Sequence, residues 1–310
     1  MDAPEKKIFL HLDEDFSCQY KDIQFPTIQP PYFHSHNGYE ILLLLGGELD
    51  FFMESGSGKL VRGDLVCIRP HAFHSARPLD PSRYDRIIIN IRETAFPSLN
   101  SSRTDLASCF FRMPPAMLNL MHLSDAEIER FTGLARDLQS ALSSGEWGSD
   151  ILSLSLLRLI LVMLNQHVAA PSGANPGVMP AFMAELFSYI EAHIQDTLTI
   201  EQLAGHVHHN GVYLNRRFKQ ITGLTLNQYI LAKKISRAQS CLQEGLTAGE
   251  ACEQAGFHDY ATFYRAFCRE MGVSPKQYQQ RLFGERAVIA PAGKSAEKPP
   301  LSPGIPDTGR

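Results

Sequence analysis

Three features are missing from this chain. It has no excess of positive charge: 29 lysines and arginines against 33 aspartates and glutamates leave a formal charge of −4. Whole-molecule attraction to nucleic acid is excluded, so any such contact must come from a local patch. It has no long unbroken apolar run. The longest, Ile151 to Leu164, is interrupted by Ser153, Ser155 and Arg158, which argues against a membrane span. It has no CxxC pair. Cys18, Cys67, Cys109, Cys241, Cys252 and Cys268 stand apart, so neither a disulfide framework nor a cysteine-held zinc is expected, and a reducing cytoplasm fits. The opening MDAPEKKIFLHLDEDF also lacks the apolar centre and small-residue cleavage site of a secretion signal. The expectation is a cytoplasmic protein with no membrane partner.

What is present is an ordinary globular composition, 44% hydrophobic and 20% charged over 310 residues, enough for two or three cored domains. Two composition breaks divide it. Residues 169–181 hold the Pro- and Gly-rich AAPSGANPGVMP and read as a linker. Residues 285–310 are Pro-rich, poor in large apolar groups, and read as a disordered tail.

Before the linker, Ile8 to Arg92 shows short β-rich runs (YEILLLL, GGELDFFME, KLVRGDLVCIRP, DRIIINI) separated by turn signals such as ESGSGK. That spacing predicts a sandwich or barrel. Residues 106–168 turn helical. SDAEIERFTGLARDLQSAL opens with Ser124 and, three residues on, Glu127, a capping-box signature. ILSLSLLRLILVMLNQHV is more apolar than one helix face requires, so it is either buried or pairs with a second copy.

After the linker lies an internal repeat. GFHDYATFYRAFCREMGVSP, shifted back by 49 positions, lands on the stretch containing NGVYLNRRFKQITGLT. Phe263 falls on Leu214, Arg265 on Arg216, Phe267 on Phe218, Gly272 on Gly223 and Ser274 on Thr225. Each copy follows a short predicted helix, TIEQLAGHV or TAGEACEQAGF, in which small Ala204 and Cys252 mark a close helix crossing. Helix, tight turn, helix with a polar outer face is a helix-turn-helix plan, here in two copies joined by a longer helix. With Leu214, Phe218 and Ile221 turned inward, Val212, Asn215, Arg216 and Lys219 share the outer face. In the second copy Tyr260, Ala261, Tyr264, Arg265 and Cys268 do so, with Arg269 nearby. Arginine pairs with guanine and asparagine with adenine in the major groove. A solvated helix face explains any one arginine, but not the same arginine position twice. Because acids and bases nearly balance, Arg216, Arg217, Lys219, Lys233, Lys234, Arg237, Arg265 and Arg269 are expected together on one face.

Residues 182–284 resemble the DNA-binding domain of the AraC/XylS transcription regulators, a bacterial type. GFHDYATFYRAFCREMGVSPKQYQQR keeps the Gly, Phe, Asp, Phe, Arg, Phe, Gly, Ser-Pro and Tyr positions of that family's second motif. LAGHVHHNGVYLNRRFKQITGLTLNQY is similar to its first. The resemblance implies that Val212, Asn215 and Arg216 read one major-groove segment and Tyr260, Ala261 and Arg265 the next. Cys268 stands where the family usually has a lysine, which removes one phosphate contact. Cys252 and Ala255 replace the usual Ala and Val.

In PYFHSHNGYEILLLL, His34 and His36 alternate along a strand and Glu40 completes HxHxxxE; GDLVCIRPHAFHS adds His74. This resembles the metal-binding arrangement of cupin barrels, and the stretch from about Tyr32 to Ile91 resembles the cupin sensor domains of AraC-type regulators, within an expected cupin-like effector-binding domain of residues 1–105. Three readings stay open: a divalent metal (Zn, Mn, Fe or Ni) on His34, His36, Glu40 and His74; direct recognition of a sugar-like effector by the same four; or structural hydrogen bonding, the reading that suits His71 and His11. No cofactor is otherwise implied. The expected fold class is α+β in two domains, a cupin-like barrel with flanking helices and an all-α double helix-turn-helix. The expected function is an effector-controlled, sequence-specific regulator of promoter DNA, not an enzyme, and a homodimer through residues 106–168. The family resemblance makes a carbohydrate the first effector to consider. A metal-dependent cupin enzyme fused to a DNA-binding module is the alternative, and a purely architectural DNA binder the third.

Overall fold

The computed structural model describes residues 7–10, 12, 14–20, 32–113, 118–167 and 179–289, with side chains of the last helix as far as Leu282. His11, nearly all of the linker and residues 290–310 lie outside the described residues.

The N-terminal part is built of β1 (Phe9–Leu10), β2 (Phe16–Tyr20), β3 (Ser35–His36), β4 (Gly38–Gly46), β5 (Leu49–Met53), β6 (Gly56–Leu60), β7 (Asp64–Ile68), β8 (His74–Pro78), β9 (Asp85–Arg92) and β10 (Leu120–His122). A five-stranded antiparallel sheet, in the order β10-β7-β4-β9-β2, faces a three-stranded one, β6-β5-β8. A short parallel pair, β1 with β3, lies at the mouth. The apolar run of β4 is buried on both faces, which is why it does not alternate with polar residues. Ile41 and Leu43 point to one core, Leu42 and Leu44 to the barrel interior. β10 lies within residues 106–168, read from sequence as helical only, and its register with Leu65 and Val66 closes the sheet edge.

Two helices, α1 (Asp125–Ser144) and α2 (Ser149–Gln166), cover the five-stranded sheet through Phe131, Leu138, Leu157, Ile160 and Leu164. The expected capping box forms: the Glu127 carboxylate accepts from the Ser124 hydroxyl at 2.7 Å and its backbone N–H at 2.8 Å. These bonds, joined by one from His167, pull the Glu127 pKa down to about 2 from an ordinary 4.5. Because the folded value is the lower one, the contribution is present above about pH 4.5 and is lost as pH falls toward 2. Glu127→Ala is expected to cost about 1 kcal/mol and to flatten stability across that window. Urea denaturation at stepped pH measures it, and an unchanged pH slope would contradict the assignment.

The C-terminal part is all helical: α3 (Ala181–Ala192), α4 (Ile200–His206), α5 (Gly211–Thr222), α6 (Leu226–Gln243), α7 (Ala248–Gln254), α8 (Tyr260–Met271) and α9 (Pro275–Ile289). The repeat extends to its punctuation. Asn210 caps α5 and Asp259 caps α8, and each helix stops at a left-handed glycine, Gly223 (φ 75°) and Gly272 (φ 70°). Thr199, Thr225 and Thr247 each form a capping box with the residue three later. Leu214, Phe218, Phe263 and Phe267 are fully buried. Residues 285–289, read from sequence as disordered tail, continue α9 instead.

Candidate nucleic-acid interface and ligand site

The outward faces of α5 and α8 are open. Val212 is 80% exposed, and Arg216 and Lys219 are exposed beside it. On α8 Tyr260, Ala261, Tyr264 and Arg265 are all exposed. Arg265 bends back to Thr262, at 3.3 Å. Asn215 behaves differently: its side-chain oxygen accepts the Leu226 N–H at 3.0 Å and so holds the start of α6. Adenine recognition needs that oxygen and the amide together, so in this arrangement Asn215 sets the helix entry rather than presenting a full base-reading edge. Arg269 is paired with Glu270 at 2.8 Å.

The expectation that eight basic residues gather on one face is corrected. Lys233 lies at the junction of the two domains, bonded to Glu54 at 3.0 Å and Glu191 at 2.8 Å. Lys234 donates to the Gly256 carbonyl and Arg237 to that of Gln254. The cause is position: α6 is the inner helix joining both copies, so its cations satisfy carbonyls and carboxylates at its flanks.

The junction has a specific geometry. A helix ends with carbonyls that have no partner within the helix. Those of Gln220, Ile221 and Thr222, closing α5, are taken by the barrel. Arg77 on β8 donates to Gln220 O at 2.9 Å and to Ile221 O, and Phe33 N–H donates to Thr222 O at 2.6 Å. Beside them the Tyr229 hydroxyl donates to Glu54, and Phe33 stacks on Phe187. Ile8, Phe33, Phe52 and Phe73 from the barrel share one core with α3 to α6. The Tyr229 pKa is pushed up, first by burial and then by Glu54. Burial opposes the Lys233 charge, but the two carboxylates outweigh it and hold its pKa above the ordinary value.

At the barrel mouth His34, His36, Glu40 and His74 are all buried, at 4% exposure or less. Paired backbone bonds set His34 opposite His74. Each ring has its Nδ1 against a carbonyl: His34 to Tyr32, His36 to Gly38 and His74 to Ala72. This leaves the Nε2 atoms of His36 and His74 facing Glu40, at 2.9 and 3.8 Å. Ligand atoms of His36, Glu40 and His74 converge within 4.8 Å of one another. His34 lies outside that group, so the four-ligand set expected from sequence assembles as three. Burial and then the neighbouring His74 push the His34 pKa down to about 3, which leaves its ring neutral. Burial would raise the Glu40 carboxyl, but hydrogen bonds from His36 and His74 outweigh it and hold it well below its usual range.

The interior face also carries residues that sequence reading missed. Asn90 stands opposite Glu40 across β4 and β9, on the face of Leu42 and Ile88. Arg86 lies two registers along, with its guanidinium 4.5 Å from the Tyr84 ring centre. Asn90 Oδ1 and the Tyr84 hydroxyl are buried with no hydrogen-bond partner among the described residues. The signal was a polar residue at a period-two position inside the apolar run RIIINIR. For Glu54 and Arg77 there was none.

A two-sheet, cupin-like barrel with a buried polar mouth, fused to two capped reading helices, defines a DNA-binding regulator with a ligand-binding domain. Residues 25–161 match the AraC-like ligand binding domain and residues 203–281 a helix-turn-helix domain. Over 255 residues the chain is 22% identical to the transcriptional activator RhaR of Escherichia coli, covering 79% of this chain and 86% of that one. Among solved structures, it is similar to the C-terminal domain of the response regulator yesN from Fusobacterium nucleatum (29% identity, 31% of this chain and 94% of that one, TM-score 0.30). It is also similar to the DNA-binding domain of AdpA in complex with a target DNA (24%, 34% and 95%, TM-score 0.33). The chain belongs to the AraC/XylS family of transcription regulators. That family consists of regulators, not enzymes, and the enzymatic alternative is set aside.

Proposed function

We propose that the chain switches promoter binding in response to a small polyhydroxylated effector held at the barrel mouth. The observation that carries this is a pair of buried polar atoms with no partner among the described residues, Asn90 Oδ1 opposite Glu40 and the Tyr84 hydroxyl. Hydroxyl groups supply both donors and acceptors, which suits a carbohydrate. His36 and Glu40 anchor the site and His34 walls it. The site would act on α5 through β8, the strand that carries both His74 and Arg77. The test is the operator affinity of the full chain with and without a panel of neutral hexoses and pentoses. One sugar should shift it, and Asn90→Leu should remove the shift. A panel that leaves affinity unchanged would reject the reading.

On DNA, Val212, Arg216 and Lys219 serve the first groove segment and Tyr260, Ala261, Tyr264 and Arg265 the second, with Arg269 toward phosphate once freed from Glu270. Such work places the protein in the cytoplasm.

A second reading is a divalent metal on His36, Glu40 and His74. Two imidazoles and a carboxylate suit Zn, Mn, Fe or Ni. The carbonyl bonds to Nδ1 are the outer contacts that fix a metal-ligating histidine. Such an ion would offer Lewis-acid contact to an effector hydroxyl, in place of the His36–Glu40 hydrogen bond. Metal analysis of protein equilibrated with each ion and dialysed separates the readings: one bound ion per chain, lost in Glu40→Gln, supports it.

We further propose a homodimer through α2, whose Ile151, Leu152 and Leu159 are 65%, 53% and 49% exposed on an otherwise packed helix. Leu159→Arg is expected to halve the mass seen by light scattering at micromolar concentration. An unchanged mass would place any dimer contact elsewhere.

A further inference from the structure

Between the barrel mouth and the second reading helix lies a cleft of about 520 Å³. Its walls come from both domains. β1, β3 and the loop before β8 contribute Lys7, Ser35, His36 and His71; α6 and α8 contribute Gln239 and Arg269. The volume is that of a small-molecule site. We propose that this cleft is a second ligand site, separate from the barrel interior, that takes a small polyhydroxylated carboxylate and is complete only when the two domains are docked.

Two buried polar atoms carry the argument. Gln239 is 2% exposed and Ser35 0%, and both line the cleft. The Gln239 amide nitrogen is 3.4 Å from the Tyr278 hydroxyl, but among the described residues its oxygen has no partner, and neither has the Ser35 hydroxyl. An orphaned buried polar atom is unfavourable, so each is a place where a ligand hydroxyl gains. The carboxylate follows from charge. Glu270 also lines the cleft but is matched by Arg269 at 2.8 Å, whereas Lys7 at the rim has no acidic partner among the described residues. His71 supports a built site. It holds a left-handed backbone (φ 62°), which a non-glycine residue adopts under constraint, and its N–H donates to His36 O at 2.9 Å. That bend sets its ring between Glu93 and Gln243, across the junction.

A ligand that touches both walls stabilises the docked arrangement by its preference for it. Here the wall on the DNA-binding side includes the end of α8 itself. The cleft adjoins the barrel site at His36, and Asn90→Leu set against Gln239→Leu tells the two sites apart.

The test is calorimetric titration of the full chain with D-glucuronate and with its neutral counterpart D-glucose. Glucuronate should bind, and glucose more weakly. Gln239→Leu and Ser35→Ala should each weaken glucuronate by about ten-fold, with thermal melting as the control for folding, and Lys7→Ala should remove the preference for the acid. Failure of glucuronate to bind at millimolar concentration would overturn the proposal. So would an affinity that falls in Asn90→Leu but holds in Gln239→Leu, because the ligand would then sit inside the barrel.

Discussion

Replacing Lys233 with methionine is expected to destabilise the domain junction by about 2–3 kcal/mol, read as an earlier urea midpoint. The substitution removes the ammonium that lies over the Phe73 ring and strands the Glu54 carboxylate, which is 23% exposed and otherwise held by Tyr229. Breaking a fully buried pair costs roughly 3–5 kcal/mol, and the residual exposure of Glu54 lowers the figure. Glu191 is 58% exposed and returns to water at little cost. The double variant Glu54→Leu with Lys233→Met should recover most of the loss, because an apolar pair replaces a desolvated ionic one. If the single variant unfolds at the wild-type midpoint, the ion cluster is not what ties the domains. The functional consequence follows from the carbonyl contacts of Arg77. A loosened junction should keep DNA affinity but lose its response to effector.

Arg216→Ala and Arg265→Ala are each expected to weaken the operator complex by about 1–3 kcal/mol, from several-fold to over a hundred-fold. Each should relax preference at a different base position, because the two arginines occupy the same place on two different helices. Lys219→Ala should act otherwise: uniform weakening across sequences, with the salt dependence reduced by about one counterion. Asn215→Ala should disturb the α5–α6 corner, through its bond to Leu226, more than base preference. Gel-shift titrations at two salt concentrations on randomised sites separate these outcomes. If Arg216 and Arg265 relaxed the same base position, the two-reader arrangement would be wrong.

The helical half was legible because its information is local. Apolar spacing, the caps Asn210 and Asp259 and the stops Gly223 and Gly272 act within one or two turns, and the repeat states them twice. The barrel strands were legible for the same reason, and so was the approach of His36 to Glu40, four residues on in the next strand along the chain. What could not be read was register between distant segments. That Asn90 opposes Glu40 depends on how β9 slides on β4, and one residue of slip would turn Asn90 to the other face. That Arg77 meets α5, or that Glu54 takes Lys233 away from the DNA-binding face, depends on how two finished domains dock. No local pattern marks such a contact. His34 shows the limit of motif reading: the motif includes it, but backbone pairing leaves it outside the converging group.

The central claim is that α5 and α8 read DNA together. The most direct test is selection of genomic fragments by the purified full chain, repeated with Arg216→Ala and Arg265→Ala. The account predicts one bipartite motif for the wild type, with one half blurred in each variant. No enriched motif, or a motif unchanged by both substitutions, would contradict it.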